Sequence, residues 1–166
     1  GVEVETVVLR DYPIDFCLNC RECALQPGEQ PGQCVLRDGM AQLVDRIEQA
    51  DGYILASPTN FGTVTALFKR FMERLTVYAY WPWGTPAPRL RRRHGRKKAL
   101  LIASSAAPGI LGRFMFTTLK QLKMSAATVG AKPVGSMSIG FMAKDAHPGL
   151  PDRAQARLRK LVARLL

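Results

Sequence analysis

Four cysteines carry the most chemical information in this chain. Cys17, Cys20, Cys23 and Cys34 follow the spacing C-x2-C-x2-C-x10-C. Iron–sulfur clusters are held by four thiolates, and C-x2-C-x2-C is a compact way to direct three of them at one site. Cysteines three apart can wrap one corner of a cuboidal cluster, and a more distant fourth closes it. For Cys34 to join the others, the ten residues between it and Cys23 must loop out as a surface bulge. Pro27-Gly28 and Pro31-Gly32 are turn dipeptides that suit such a bulge. A loop of ordinary structural thiols is the alternative reading. Zinc fits the spacing less well, because its sites usually pair two C-x2-4-C or C/H knuckles. Disulfides are disfavoured in a reducing cytosol.

The second candidate is a loop. Residues 53–56 form a short apolar run of the kind a buried strand needs. Ser57, Pro58, Thr59, Asn60, Phe61, Gly62 and Thr63 follow, mostly small and polar. Val64, Leu67, Phe68, Phe71, Met72 and Leu75 then make a continuous apolar stripe at helical spacing. Strand, small-residue loop and amphipathic helix are half of an α/β unit, and open α/β sheets bind ligands at the carboxyl ends of their strands. An ordinary βα connection has the same pattern.

The elements that must position these groups alternate. Residues 2–9 alternate and are β-rich, which predicts a strand. Residues 10–39 read as a loop, and Met40, Leu43, Val44 and Ile47 mark a helix ending near Ala50. A strand is expected over 53–56, a helix over 64–78 and a Pro- and Arg-rich excursion over 81–98. A strand over 99–103, a helix over 112–129 and a strand over 133–139 come next. Asp152 could cap a last helix with Leu158, Leu161, Val162 and Leu165 on its apolar side. Strands alternating with helices imply a parallel, doubly wound sheet. At 166 residues the chain suits one domain, 1–166, with a real core.

The formal net charge is +11, and Arg89, Arg91, Arg92, Arg93, Arg96, Lys97 and Lys98 supply seven of those charges. A solvated loop is the simplest account of this run. An anion site for nicotinamide phosphates or an acidic redox partner is another. The run lacks the interleaved aromatic residues that single-strand binders use, which argues against nucleic acid. The aromatic stretch from Tyr78 to Trp83 could wall a flat-ring site or a subunit interface. The histidines, His94 and His147, sit in no metal-ligand spacing, and no G-x-S-x-G elbow occurs. No apolar run approaches the roughly 18 residues of a membrane span, and no signal peptide opens the chain, so a cytoplasmic location is expected. The absence of hydrolytic machinery suits a protein whose cofactor does the chemistry.

A family resemblance joins these features. SPTNFGTVTALFKRFMERL resembles the S-P-x-(Y/N)-(F/Y)-G-x-(V/M)-(S/T)-x-x-(L/M)-K-x-F-(I/M)-(D/E)-R-L segment of the flavodoxin-like NAD(P)H-dependent FMN reductases, which include the iron–sulfur flavoproteins. Upstream, GQCVLRDGMAQLVDRIEQADGYILASP resembles the family's C-x-(I/V)-x-D-(D/G)-M and A-D-G-(I/Y)-I-x-x-S-P. Downstream, SSAAPG and LKQLKMSAATVGAKPVGSMSIG resemble its fourth strand, fourth helix and fifth strand. The basic loop at 82–98 lies outside the likeness. Iron–sulfur members carry a compact four-cysteine motif in the same loop, and Cys34 matches its last position, although the family's gap before it is usually shorter.

The resemblance implies a flavodoxin-like sheet of order 2-1-3-4-5. The family's first strand, phosphate loop and first helix find no match here, so an N-terminally incomplete copy is expected, with either a vacancy beside residues 2–9 or a segment filling it. It further implies FMN at the strand ends. Ser57, Pro58, Thr59, Asn60, Phe61, Gly62 and Thr63 would face the ring and ribityl chain mostly through backbone amides. Ser104, Ser105, Ala106 and Gly109 would border the ring's other edge. Cys17, Cys20, Cys23 and Cys34 would hold a [4Fe–4S] cluster. NAD(P)H would be the co-substrate, a small molecule or protein the redox partner, and a dimer or tetramer the assembly. The implied activity is electron transfer from a nicotinamide cofactor or redox partner to an acceptor. A non-enzymatic electron carrier and a cofactor-free interaction module are the competing classes.

Overall fold

A computed structural model describes residues 2–91, 97–143, 146 and 149–166, with the side chains of 111–113 left out. Arg92, Arg93, His94, Arg96 and His147, singled out by the sequence, lie outside the described residues.

The centre is a sheet in which β1 (Gly52–Asn60), β5 (Lys97–Ser104) and β6 (Ala131–Ile139) run parallel. β2 (Thr63–Val64) folds back on the end of β1 as an antiparallel hairpin, so the order is β2-β1-β5-β6. A separate hairpin joins β3 (Ala79–Tyr80) and β4 (Arg89–Leu90). The helices are α1 (Glu22–Leu25), α2 (Met40–Gln49), α3 (Ala66–Arg74), α4 (Gly109–Met115), α5 (Thr118–Thr128) and α6 (Asp152–Leu165). No described helix is long and apolar enough to cross a membrane.

β5 is buried on both faces, as the middle strand of a parallel sheet must be. Its alternation splits the core. Ala99 and Leu101 face one side, packed with Met40 and Leu43 of α2, Phe68 and Phe71 of α3, and Leu122 and Ala126 of α5. Leu100 faces the other side, with Met137, Ile139 and Leu161 of α6. The register slips between Ala99 and Leu100, where Ala99 pairs with Pro133 and Leu100 with Gly135. Pro133 has no N–H to give the ladder, which accounts for a bulge at that point.

The expectations on element bounds shift in several places. Residues 2–8 make no sheet pairing, and Leu9–Asp11 is a 3-10 turn. Among the described residues, β1 has no strand beside 52–58 on the edge away from β5. Alternation alone cannot make a strand when no neighbour accepts its hydrogen bonds. The same side of the molecule leaves Ile54 exposed on the face that α6 covers further along the sheet. β1 also continues through Ser57 to Asn60, where a loop was expected. The helix expected over 64–78 begins after Thr65, whose hydroxyl accepts from Phe68 N, and passes into a 3-10 turn at Leu75–Tyr78. The helix expected over 112–129 is broken at Phe116, which is extended, because Thr117 N donates to Gly62 O and ties the chain to the β1–β2 turn. Asp152 is the first helical residue of α6, and its side chain makes no cap.

Candidate functional site

The cysteine segment is built by a set of side chains that bond backbone. Gln26 pinches the neck of the insertion: its Nε2 donates to Gln33 O at 3.0 Å and its Oε1 accepts from Gln33 N at 2.7 Å. Residues 27–30 outside this neck are exposed, so the tip of the insertion bulges at the surface, while Ala24 at its start is fully buried. Arg91 clamps the same segment to the hairpin. Its guanidinium donates to the carbonyls of Cys23, Gln26, Gly28, Val77 and Ala79. Gly32 N donates to Val77 O and Trp81 N to Ala24 O. Gly32 lies so close that a Cβ there would overlap the Cys23 carbonyl. Gly32→Ala should therefore displace the loop and cost about 2–3 kcal/mol, an overpacking penalty. Chemical denaturation of the variant beside the wild type checks this.

With the neck closed, Cys17, Cys20, Cys23 and Cys34 line one cavity of about 120 Å³, together with Arg21 and Trp81. All four are free thiols. Among the described residues, no three Cys, His, Asp or Glu side chains converge on a point as ligands of a single ion would. Cys23 is buried and Cys20 exposed, so the cavity opens outward on the Cys20 side. Burial first, and then the sulfurs of Cys34, Cys17 and Cys20, push the Cys23 thiol up to about 11. Charge on these sulfurs thus needs compensation from the cavity wall.

Arg74, at the end of α3, supplies some. It is 2% exposed, and its Nη2 lies 3.5 Å from Cys34 Sγ. It is paired bidentately with Asp38 at 2.6 and 3.0 Å, and Nη1 also donates to Asp15 O. Asp38 in turn accepts from the backbone N–H groups of Asp15 and Met40, which fixes both sides of the cysteine segment and the start of α2. Burial alone would raise the Asp38 carboxyl. The hydrogen bonds from Arg74, Asp15 and Met40 and the Arg74 charge outweigh it and bring the group down to about 2.

Arg21, between Cys20 and Cys23, lines the same cavity and departs from ordinary backbone geometry. Both Asn19 and Arg21 adopt left-handed φ, at 54° and 64°. The Arg21 guanidinium lies 3.9 Å from the Trp81 ring centroid and 4.1 Å from that of Trp83, and its Nη2 donates to Trp81 O at 2.7 Å.

The second candidate region lies at the carboxyl ends of β1 and β5. Pro58 is opposite Ser104 in the parallel ladder, so the segments 57–63 and 104–109 are neighbours at one end of the sheet. The hydroxyls of Ser57, Thr59, Thr63 and Ser105 are committed to the fold. Ser57 Oγ accepts from Thr65 N and donates to Pro58 O. Thr59 Oγ1 meets Thr118 Oγ1, Thr63 Oγ1 donates to Gln121, and Ser105 Oγ donates to Ala107 O. Phe61 and Gly62, with φ of 49° and 78°, form the tight turn between β1 and β2 and leave the Phe61 ring fully exposed. Two positive φ values suit a two-residue hairpin, but a bulky residue is rarely held there. Gly109 and Gly140 touch backbone to backbone: a Cβ on Gly140 would overlap Gly109 N.

The sequence named the four cysteines and both loops, and the tertiary structure brings each set together. It did not mark Arg21 or Gln26, and Asp38 and Arg74 stood only as letters of the family motifs, with no role. Arg91 and Lys97 belong to the basic run yet are bound to backbone, Lys97 at the carbonyls of Ile47 and Glu48 near the end of α2. The solvated-loop account therefore does not hold for these two.

Comparison with known proteins agrees with this architecture. The NADPH-dependent FMN reductase family model matches residues 1–144. An iron-sulfur flavoprotein of Archaeoglobus fulgidus is 38% identical over 82 residues, covering 49% of this chain and 35% of that protein. The iron-sulfur flavoprotein MJ1083 of Methanocaldococcus jannaschii is 34% identical over 74 residues, covering 45% of this chain and 36% of its own. The matched segment thus spans about a third of the length of these curated relatives. Among solved structures, Smu.1420 of Streptococcus mutans UA159 superposes with a TM-score of 0.56 at 16% identity, over 92% of this chain and 76% of that one, a likeness of fold alone. With three parallel strands flanked by helices on both faces, paired loops at their carboxyl ends and a family match over most of its length, the chain belongs to the NADPH-dependent FMN reductase family and has its flavodoxin-like α/β fold.

Proposed function

We propose that the protein is an FMN-dependent oxidoreductase that moves electrons from a nicotinamide cofactor or redox partner to an acceptor, with a [4Fe–4S] cluster on Cys17, Cys20, Cys23 and Cys34. The observation that carries the reading is the meeting of four thiols around one cavity despite ten intervening residues. Four thiols lining one cavity are the donor set that an iron–sulfur cluster takes. Arg21 Nε is buried without a partner, and Arg74 aims an N–H at Cys34; an anionic, sulfur-rich group would satisfy such donors. When bound, the cluster would supply one-electron transfer. This chain's residues would hold it, keep Cys23 away from water and offset its negative charge through Arg21 and Arg74.

For the flavin, the supporting observation is that the hydroxyls of Ser57, Thr59, Thr63 and Ser105 are already bonded within the protein. A ligand over 57–63 and 104–109 would meet backbone groups and exposed apolar surface such as Phe61, which is what a flat isoalloxazine ring needs. FMN would supply the link between two-electron nicotinamide chemistry and one-electron acceptors.

The test is anaerobic titration of the protein with FMN and then with NADH or NADPH, followed at the flavin absorbance. Binding followed by bleaching supports the oxidoreductase. Binding with no bleaching by either nucleotide favours the non-enzymatic carrier, and no binding removes the flavin from this reading. Gly140→Ala should weaken FMN binding by about tenfold, because the added methyl separates the loops that flank the ring. An unchanged Kd would mean that the flavin sits elsewhere.

A further inference from the structure

The Arg21 stack is built more firmly than a loop brace requires. A guanidinium held against one indole already gains a cation–π contact. Here it is held against two, Trp81 and Trp83, at 3.9 and 4.1 Å, with a third anchor at Trp81 O. Trp81 and Arg21 both line the cysteine cavity, while Trp83 is largely exposed. The stack therefore runs from the cavity wall to the surface, with the cation inside it. Arg21 also anchors the cysteines directly: its carbonyl accepts from Ala24 N and Leu25 N and so starts the short helix that carries Cys23. Its Nε remains buried and unpartnered. A buried N–H of a cation is costly unless an acceptor meets it. Two tryptophans thus fix the positive charge of a residue that lines the cavity shared by the four cysteines, and leave one of its buried donors unmet.

We propose that Arg21 is the fixed counter-charge of the cysteine-held group and sets its reduction potential, with Trp81 and Trp83 holding the guanidinium in place. This rests on the reading that the four cysteines hold an iron–sulfur cluster. Net charge and hydrogen bonds to the sulfurs are principal determinants of such potentials. One-electron reduction adds a negative charge, so a cation locked at the wall favours the reduced form. Trp81 and Trp83 are positioning residues, which act through the Arg21 guanidinium. Trp83, being exposed, can be removed with little effect on the core.

The experiment is anaerobic reconstitution of the protein with iron and sulfide, iron analysis, and dithionite titration followed by absorbance and electron paramagnetic resonance. Wild type, Arg21→Gln, Arg21→Lys, Trp83→Ala and Lys132→Gln are compared, the last being an exposed cation on β6. Arg21→Gln should retain iron but lower the reduced-to-oxidised ratio at a fixed poise by about tenfold, which is about 59 mV for one electron. Arg21→Lys, which keeps the charge, should recover most of the ratio. Trp83→Ala should shift it in the same direction as Arg21→Gln by two- to threefold, and Lys132→Gln should leave it unchanged. A wild-type protein that takes up no iron would refute the cluster reading itself. Iron-loaded Arg21→Gln and Trp83→Ala proteins with the wild-type ratio would overturn the counter-charge. Loss of iron from both variants would also overturn it, since the stack would then serve only to fold the loop.

Discussion

Anaerobically reconstituted wild-type protein is expected to bind about four irons per chain, the content of a cuboidal cluster, and Cys20→Ala is expected to bind none. Cys20 is the informative choice because it is exposed. Truncating it removes a thiol and almost no packing, so the fold should survive and the loss of iron can be read as loss of a ligand. Cys23→Ala is a poorer probe, because that side chain is buried in the main core and its removal also leaves a void. Cys34→Ala tests the insertion: if the Gln26–Gln33 neck brings Cys34 to the cavity, this variant should lose iron as Cys20→Ala does. Iron analysis with thermal unfolding of each variant checks both effects. Iron uptake by Cys20→Ala equal to wild type would leave these residues as structural thiols.

Asp38→Ala is expected to be the most destabilising single substitution, by about 3–5 kcal/mol. It strands the Arg74 guanidinium, which is almost wholly buried, and it removes the acceptor of two backbone N–H groups. Asp38→Asn should be milder, since an amide oxygen can still accept. The pH dependence follows from the depressed carboxyl. A group whose folded value lies below its unfolded one stabilises above the unfolded value, and that stability is lost as pH falls through the folded value. For Asp38 the window runs from about 3.8 down to about 2, and the contribution at stake is about 2 kcal/mol. The stability difference between wild type and Asp38→Asn should therefore narrow by about that amount between pH 5 and pH 2. Denaturant titrations at the two pH values measure it, and a difference that does not change with pH would mean that Asp38 is not held as a buried carboxylate.

The strand over 99–103, the stripe on α3 and the small-residue segment after residues 53–56 were readable because they are local patterns, and a strand covered on both faces needs a continuous apolar run. Element ends were less readable. The helix break at Phe116 depends on Thr117 reaching the turn at Gly62, a contact between residues distant in sequence. Residues 2–8 have strand-like alternation, but a strand exists only with a partner beside it, and the described sheet offers none there. The basic run was legible as charge and not as structure. Nothing local distinguishes Arg91, whose guanidinium closes on backbone carbonyls, from Arg89, which lies over the Tyr80 ring.

The sequence by itself determined which chemistry is available: four cysteines in cluster-like spacing, two loops at strand ends, and no hydrolytic constellation. Spacing and residue type are chemical facts that hold before folding. Only the tertiary structure decided that Cys34 joins the other three, because that depends on a side chain at position 26 pairing with backbone at position 33. It alone decided that Arg21 lines the cavity and that Arg74 reaches Cys34, since both are ordinary surface residue types whose placement follows from Trp81, Trp83 and Asp38 closing around them. Charge compensation acts through space over a few ångströms, and distances of that size between sequence-remote residues are set by packing.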